Sequence, residues 1–258
     1  MVDRTVLHQH IYINCNRLER STFDFRHFKM DDCLYWLIQN LRDVPDGEDW
    51  LSGKEKALLS RLHVPKRRND WRLGRWTAKQ TYSLYLPASA PSMPEMDVIA
   101  AEDGGPDIYI SGKPAPVSIS ISHSHGRGFC VLAPSDVAVG CDLEQIEHQS
   151  PDFFEDYFAP EEMLSWRKAP EAIRPIVGYL IWSAKESCLK ALREGLRRDT
   201  RSVRINFDYK DTENAWNMWT GHCMKTSGTF GGWWRCEGKY IYTMASDRPG
   251  HTPRELQI

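Results

Sequence analysis

Two segments constrain this chain more than any others. Gly140-Cys141-Asp142-Leu143-Glu144 closes an apolar run, and Trp182-Ser183-Ala184-Lys185-Glu186-Ser187-Cys188-Leu189-Lys190 lies in a stretch of helical periodicity. Alternate residues of a strand share a face, so Asp142 and Glu144 point the same way. Residues four apart on a helix share a face, so Glu186 and Lys190 do too. A fold that brings this strand end to this helix gathers three carboxylates and two ammonium groups. Such a cluster suits a magnesium ion holding a pyrophosphate. Taken singly, each pair has an ordinary explanation: a strand that ends in polar residues, or a helix surface pair worth about 0.3–0.5 kcal/mol. Their combination, with Trp182 four residues before Glu186 on the same face, is less ordinary.

Composition narrows the classes. A length of 258 residues fits one large domain or two of about 130 residues. The net charge of −2, from 33 basic and 35 acidic residues, gives no electrostatic reason to expect nucleic acid as the partner. The seven cysteines are scattered and include no C-x-x-C pair, which predicts a reduced, cytoplasmic protein. Met1 to Ile13 mix charged residues with aliphatics, and no stretch approaches about 18 apolar residues, so neither a signal peptide nor a membrane span is expected.

The periodicities predict helices and strands in both halves, an α+β protein. Leu34, Leu37, Ile38 and Leu41 are spaced as a helix, ended by the breakers from Val44 to Gly47. A second helix is expected over 54–62, stopped by Pro65, and a third over 71–86. Val117, Ile119 and Ile121 alternate with Ser118, Ser120 and Ser122 as a strand with one polar face. Two more strands, 129–133 and 137–143, flank the turn at Pro134-Ser135-Asp136, where the boundary between halves is placed: 1–135 and 136–258. Short helices follow at 151–158 and 160–167, then the strongest helix, 178–198. Strands are expected over 203–207, 216–223, 232–236 and 240–245, with an irregular tail and no short-period repeat.

Gly-x-Asp-x-Glu followed by Trp-x-x-Lys-Glu-x-x-x-Lys resembles the paired signatures of the 4′-phosphopantetheinyl transferases, in particular the larger, surfactin-synthetase-activating type. Ser120-Ile121-Ser122-His123-Ser124 is similar to that family's Ser-His-Ser segment, and Tyr157 to Glu162 to the segment between its two main motifs. Arg67-Arg68, Trp71 and Gly74-Arg75 resemble its arginine-rich helix entry. The resemblance spans about residues 50 to 207. The family often has Gly-Lys-Pro before Ser-His-Ser, where this chain has Gly104-Gly105-Pro106 and a later Gly112-Lys113-Pro114.

The resemblance implies two similar α/β halves in one pseudo-twofold monomer, with coenzyme A in the cleft between them. It implies a transferase with holo-acyl-carrier-protein synthase activity, which moves the phosphopantetheine arm of coenzyme A onto a serine of an apo acyl- or peptidyl-carrier protein and leaves adenosine 3′,5′-bisphosphate. Such carriers belong to fatty acid, polyketide or nonribosomal peptide synthases. The first half would take the coenzyme A phosphate and adenine, the second the metal and the carrier. Asp142, Glu144 and Glu186 would hold Mg2+, and Lys185 and Lys190 would face the phosphates, Lys190 matching the family's lysine better. Glu186 would accept the serine proton, directly or through a water. His123, with Ser122, Arg68 and Arg75, would meet the coenzyme A phosphates. Cys141, which should face away from Asp142, reads as a small buried hydrophobe. Lys190, Arg193, Arg197, Arg198 and Arg201 would offer an acidic carrier a basic surface, although cations at a helix end have the macrodipole as an equal explanation.

Two rival readings exist. A zinc site built from His123, His125, Cys130 and Cys141 lacks any compact cysteine pair. A module that binds coenzyme A or a carrier without transfer sits poorly with three intact acidic positions.

Overall fold

A computed structural model of the chain describes residues 11–13, 33–209, 214–248 and 250–258. Apart from Ile11–Ile13, the expectation for the first thirteen residues lies outside the described residues. In chain order the elements are β1 (Ile11–Ile13), β2 (Tyr35–Asn40), α1 (Gly53–Leu59), α2 (Pro65–Tyr85), β3 (Met96–Ala100), β4 (Pro106–Ile110), β5 (Lys113–Pro114), β6 (Val117–Ser124) and β7 (Arg127–Pro134). They continue with β8 (Val139–Gln145), α3 (Pro151–Tyr157), α4 (Pro160–Lys168), α5 (Arg174–Ala191), β9 (Val203–Tyr209), β10 (Asn217–Cys223), β11 (Thr229–Glu237), β12 (Tyr240–Ser246) and β13 (Arg254–Glu255). The α+β class is as expected.

The strands form a six-stranded sheet ordered β1-β9-β10-β11-β12-β8, a four-stranded sheet ordered β13-β2-β7-β6 and a three-stranded sheet ordered β3-β4-β5. One core lies where α5 and its neighbours cover the six-stranded sheet, through Leu180, Ala184, Cys188, Ile205, Trp219 and Ile241. A second lies between the faces of the two larger sheets, where Trp36, Phe129 and Val131 meet Leu143, Tyr242 and Met244. The two terminal strands cross the boundary placed at residue 135: β1 pairs with β9, and β13 pairs in parallel with β2.

Several expectations need correction. Residues 34–41 form strand β2 rather than a helix. Trp36, Leu37 and Gln39 are all buried, and a strand covered on both faces shows a continuous apolar run that periodicity cannot separate from a helix. Pro65 starts α2 instead of merely stopping the helix before it, since its missing N–H costs nothing at a first helical position. Helix α5 begins at Arg174 and ends at Ala191, because Arg193 and Gly195 take positive φ (56° and 52°) and turn the chain. The tail is not wholly irregular, since it supplies β13. The hairpin sheet β3-β4-β5 was not anticipated.

One buried device occurs twice. In the first half, Glu55 accepts from the backbone N–H of Ser52 (2.9 Å) and Val98 (3.0 Å) and from Lys79 Nζ (2.5 Å), which also donates to the Trp50 and Met93 carbonyls. In the second, Glu162 accepts from the N–H of Ala159 (2.8 Å) and Ile205 (2.9 Å) and pairs with Lys185 Nζ (2.8 Å), which also donates to the Thr200 and Val203 carbonyls. All four side chains are fully buried. The bonds from Glu55 to Val98 and from Glu162 to Ile205 each span 43 residues, so the repeat extends through helix, helix and strand alike. The elements β2-α1-α2-β3-β4-β6-β7 thus run parallel to β8-α4-α5-β9-β10-β11-β12.

Removing one partner leaves a buried charge alone, which costs about 3–5 kcal/mol. Glu55→Ala and Glu162→Ala are each expected to lose that much stability in urea unfolding. A loss below about 1 kcal/mol in either, within the range of an ordinary substitution, would refute the pair's structural role.

Candidate functional site

The two halves meet along two sheet edges, β6 of the first and β8 of the second, without forming a backbone ladder. The alternate serines of β6 bridge them instead. Cys141 N–H donates to Ser120 Oγ (2.9 Å) and Leu143 N–H to Ser122 Oγ (3.2 Å). The polar face read from Ser118, Ser120 and Ser122 therefore points into the junction, where Ser120 and Ser122 are buried. Helix α5 lies against β8 at Gly140, where an added Cβ would sit 1.9 Å from the Ser187 carbonyl oxygen and 2.6 Å from Ala191 N. Only glycine allows that approach. It brings Lys190 Nζ to 2.8 Å from Asp142 Oδ1, 3.0 Å from the Cys141 carbonyl and 3.3 Å from Ser122 Oγ.

The carboxylates surround this ammonium group. Asp142 Oδ1 accepts from Lys190 and from Ser122 Oγ–H (2.9 Å), while its buried Oδ2 has no partner among the described residues. Glu144 Oε1 accepts from Trp182 Nε1–H (3.0 Å). Glu186 is 9 % exposed, and its buried Oε1 has no partner among the described residues either. Burial pushes the Glu186 carboxyl up to about 7, with Asp142 adding to the rise and Lys190 opposing it. Burial likewise pushes Glu144 up to about 7; Asp142 and Glu186 add, while the Trp182 bond and Lys190 oppose. For Lys190 burial works against the charge, but Asp142 and Glu186 outweigh it and hold the pKa above the usual lysine value.

The donor set fits a hard cation. It offers only carboxylate oxygens, two of them buried and without a partner among the described residues, and Asp142 adds to the rise of both glutamates. Among the described residues, no three His, Cys, Asp or Glu side chains are placed closely enough together to hold a metal ion as they stand. Asp142, Glu144 and Glu186 would hold the ion.

Two hollows flank the cluster. One, of about 390 Å³, is lined by Lys66, Arg67, Asp70, Trp71, Arg75 and His123. Gly74 lets α2 cross β6 closely enough to form it, since an added Cβ would lie 3.3 Å from Ile121 and 3.8 Å from the His123 ring. Arg75 donates Nε–H to the Val98 carbonyl and stacks on Trp71 at 4.6 Å. Its enclosure lowers its pKa to about 10, which leaves it charged at neutral pH. The other hollow, about 600 Å³, lies between the halves, with Ser118, Ser120, Val139, Lys190 and Arg193 among its walls.

Of the residues expected at the site, Ser122, Asp142, Glu144, Glu186 and Lys190 converge, and His123 and Arg75 share the smaller hollow. Two lie elsewhere. Lys185 is fully buried against Glu162, on another side of α5, because it belongs to the repeated Glu–Lys device. Arg68 is tied to Glu48 (2.6 Å) and the Leu59 carbonyl (2.9 Å) and does not line the hollow. The expected basic surface is largely engaged too: Arg193 bonds Asp103 and Asp107, Arg197 bonds the Asp103 and Arg193 carbonyls, and Arg198 pairs with Glu194. Nor do the zinc candidates share a site. His125 bonds Ser124 and Glu147, while Cys130 and Cys141 are fully buried and burial pushes the Cys141 thiol up to about 12. Lys66 was missed, along with the roles of Arg67 and Trp71. The spacing of Arg67, Trp71 and Arg75 at four-residue steps beside Gly74 was the available signal.

The repeat sharpens what is special here. Trp76-Thr77-Ala78-Lys79-Gln80 in the first half matches Trp182-Ser183-Ala184-Lys185-Glu186 in the second. Trp76 Nε1–H donates to Gln39 Oε1 (3.2 Å) as Trp182 does to Glu144. Through this correspondence Leu37, Gln39, Gln80 and Leu84 stand where the second half has Asp142, Glu144, Glu186 and Lys190. The same frame folds with neutral residues in one copy, so the charges of the other are not needed to build it.

No curated protein matches the chain. Among similar solved structures is the holo-[acyl-carrier-protein] synthase of Thermotoga maritima, at 18 % identity and a TM-score of 0.33, with 46 % of this chain and 79 % of that one covered. Residues 138–226, which contain Asp142, Glu144, Glu186 and Lys190, match the sequence profile of the 4′-phosphopantetheinyl transferase superfamily.

Proposed function

We propose that this protein transfers 4′-phosphopantetheine from coenzyme A to a serine hydroxyl of an apo acyl- or peptidyl-carrier protein in a magnesium-dependent reaction, as one cytoplasmic chain that supplies both halves of its cleft. The observation that carries the reading is the charged copy of the repeated frame, which lies inside the segment matching the transferase superfamily. Lys190, held in its charged form by Asp142, faces the diphosphate. His123 and Arg75 take the remaining phosphate of the donor in the smaller hollow. The serine oxygen attacks the β-phosphorus, the bond from that phosphorus to the bridging oxygen breaks, and adenosine 3′,5′-bisphosphate leaves with the electron pair. Glu186, on the α5 face that carries Lys190, accepts the serine proton, directly or through a water. Magnesium, when bound, neutralises charge on the phosphoryl oxygens.

Incubation with coenzyme A, magnesium and apo carriers should add one phosphopantetheine to the carrier mass, and a chelator should abolish the gain. Asp142→Ala and Glu186→Gln are expected to slow transfer at least about 100-fold. Parental rates in both would end this assignment of residues, and a parent that binds coenzyme A without modifying any carrier would favour a binding module.

The pKa shifts predict a pH dependence of stability. Glu144 and Glu186 each rise from 4.5 to about 7 on folding, so the folded state binds their protons more tightly than the unfolded state. Their contribution is fully present below pH 4.5 and lost as pH rises through about 7. The melting temperature of metal-free protein should therefore fall across this range, and magnesium should restore it at the upper end. A protein carrying both Glu144→Gln and Glu186→Gln should lose that slope; an unchanged slope would show that other groups cause it.

A further inference from the structure

We propose that Trp182 is a positioning residue: its indole N–H fixes one oxygen of Glu144 and leaves the other free for the cation. The proposal rests on the reading of Asp142, Glu144 and Glu186 as a cation site. Trp182 Nε1 lies 3.0 Å from Glu144 Oε1, a bond from a neutral donor to a carboxylate and so of the stronger kind. A glutamate is long and has several rotamers, so one oxygen must be held if the other is to arrive in a set place. The indole is itself held. Tyr157 and Phe153 of α3 pack edge-on against it, with ring centroids at 4.7 Å and 5.3 Å, and Trp182 is 9 % exposed. Helix α3 thereby acts on Glu144 through Trp182.

The first half contains the control. Trp76 donates to Gln39 Oε1 at 3.2 Å and is packed edge-on by Trp50 at 5.3 Å. The indole-to-strand bond is thus a property of the repeated frame, and the second half has put a carboxylate on the end of it. Asp142 too is held through one oxygen, with Ser122 and the Lys190 ammonium group both on Oδ1 and Oδ2 without a partner among the described residues. Each strand carboxylate of the cluster therefore has one oxygen anchored by a neutral donor.

Trp182→Phe keeps an aromatic ring in the cluster and removes the N–H. Manganese affinity, read by electron paramagnetic resonance, is expected to fall about tenfold, the usual lower bound for losing a partner of a metal ligand. Trp76→Phe, which removes the equivalent bond in the neutral half, should leave manganese affinity at the parental value. Manganese binding by Trp182→Phe equal to the parent, or an equal loss in Trp76→Phe, would overturn the proposal while leaving the cation reading intact. A parent that binds no manganese would refute the cation reading, and this proposal with it. Should Trp182→Phe fail to fold, 15N-labelled indoles of the parent decide the matter. The Trp182 N–H resonance should move on magnesium addition and the Trp76 resonance should not, and a Trp182 resonance that stays in place would overturn the proposal.

Discussion

Glu162 and Lys185 meet 2.8 Å apart with neither side chain exposed, and the way α5 presents Glu186 and Lys190 depends on that contact. Two buried charges are expensive to desolvate, and their mutual attraction offsets this only if their other hydrogen-bonding positions are filled. Here they are, by the N–H groups of Ala159 and Ile205 and the carbonyls of Thr200 and Val203. The pair therefore ties the start of α4, the start of β9 and the middle of α5 to one point. With Lys185 turned to that point, Glu186 lies about 100° further round the helix, and Lys190 follows it one turn later on the same side. Gly140 then lets that side lie against β8, which carries Asp142 and Glu144.

The junction of the halves is the second constraint. An edge strand carries unpaired backbone groups, and a common solution is to pair it with another edge. β6 and β8 lie side by side without doing so. Serine hydroxyls occupy the gap, accepting from alternate N–H groups of β8, and Lys190 fills the space beside them by donating to the Cys141 carbonyl. A continuous ladder would have closed the sheets into one and left no room for an ammonium group at the seam. The separation of the edges is what admits Lys190 and opens the hollow of about 600 Å³ beyond it.

The strand-helix pairing of Asp142 and Glu144 with Glu186 and Lys190 was legible because both periodicities are local: two residues for a strand, 3.6 for a helix. Lys185 was misread for the same reason. Adjacent to Glu186 in a charged motif, it gives no local sign that Glu162, far away in sequence, will bury it. Arg68 fails likewise, since Glu48 and the Leu59 carbonyl that hold it belong to another helix turn and a loop. Residues 34–41 read as a helix because burial on both faces of β2 erases its alternation. The largest omission was legible: Trp-Thr-Ala-Lys-Gln at 76–80 and Trp-Ser-Ala-Lys-Glu at 182–186 are two copies of one helix, separated too widely for a search over short periods. Their comparison alone would have shown that Lys185 repeats a structural Lys79 and that Glu186 departs from Gln80.

That departure separates frame from chemistry. Had the acids of β8 and α5 been part of what holds a half together, the first half would need them as well. It does not: Leu37 and Gln39 occupy the corresponding strand, both buried, and Gln80 and Leu84 the corresponding helix. A buried cluster of carboxylates destabilises the half that carries it, as the rise of Glu144 and Glu186 to about 7 records. A neutral solution to the same packing problem in the first half, beside a costly charged one in the second, is what the proposed function requires: charge kept for a ligand rather than for the fold.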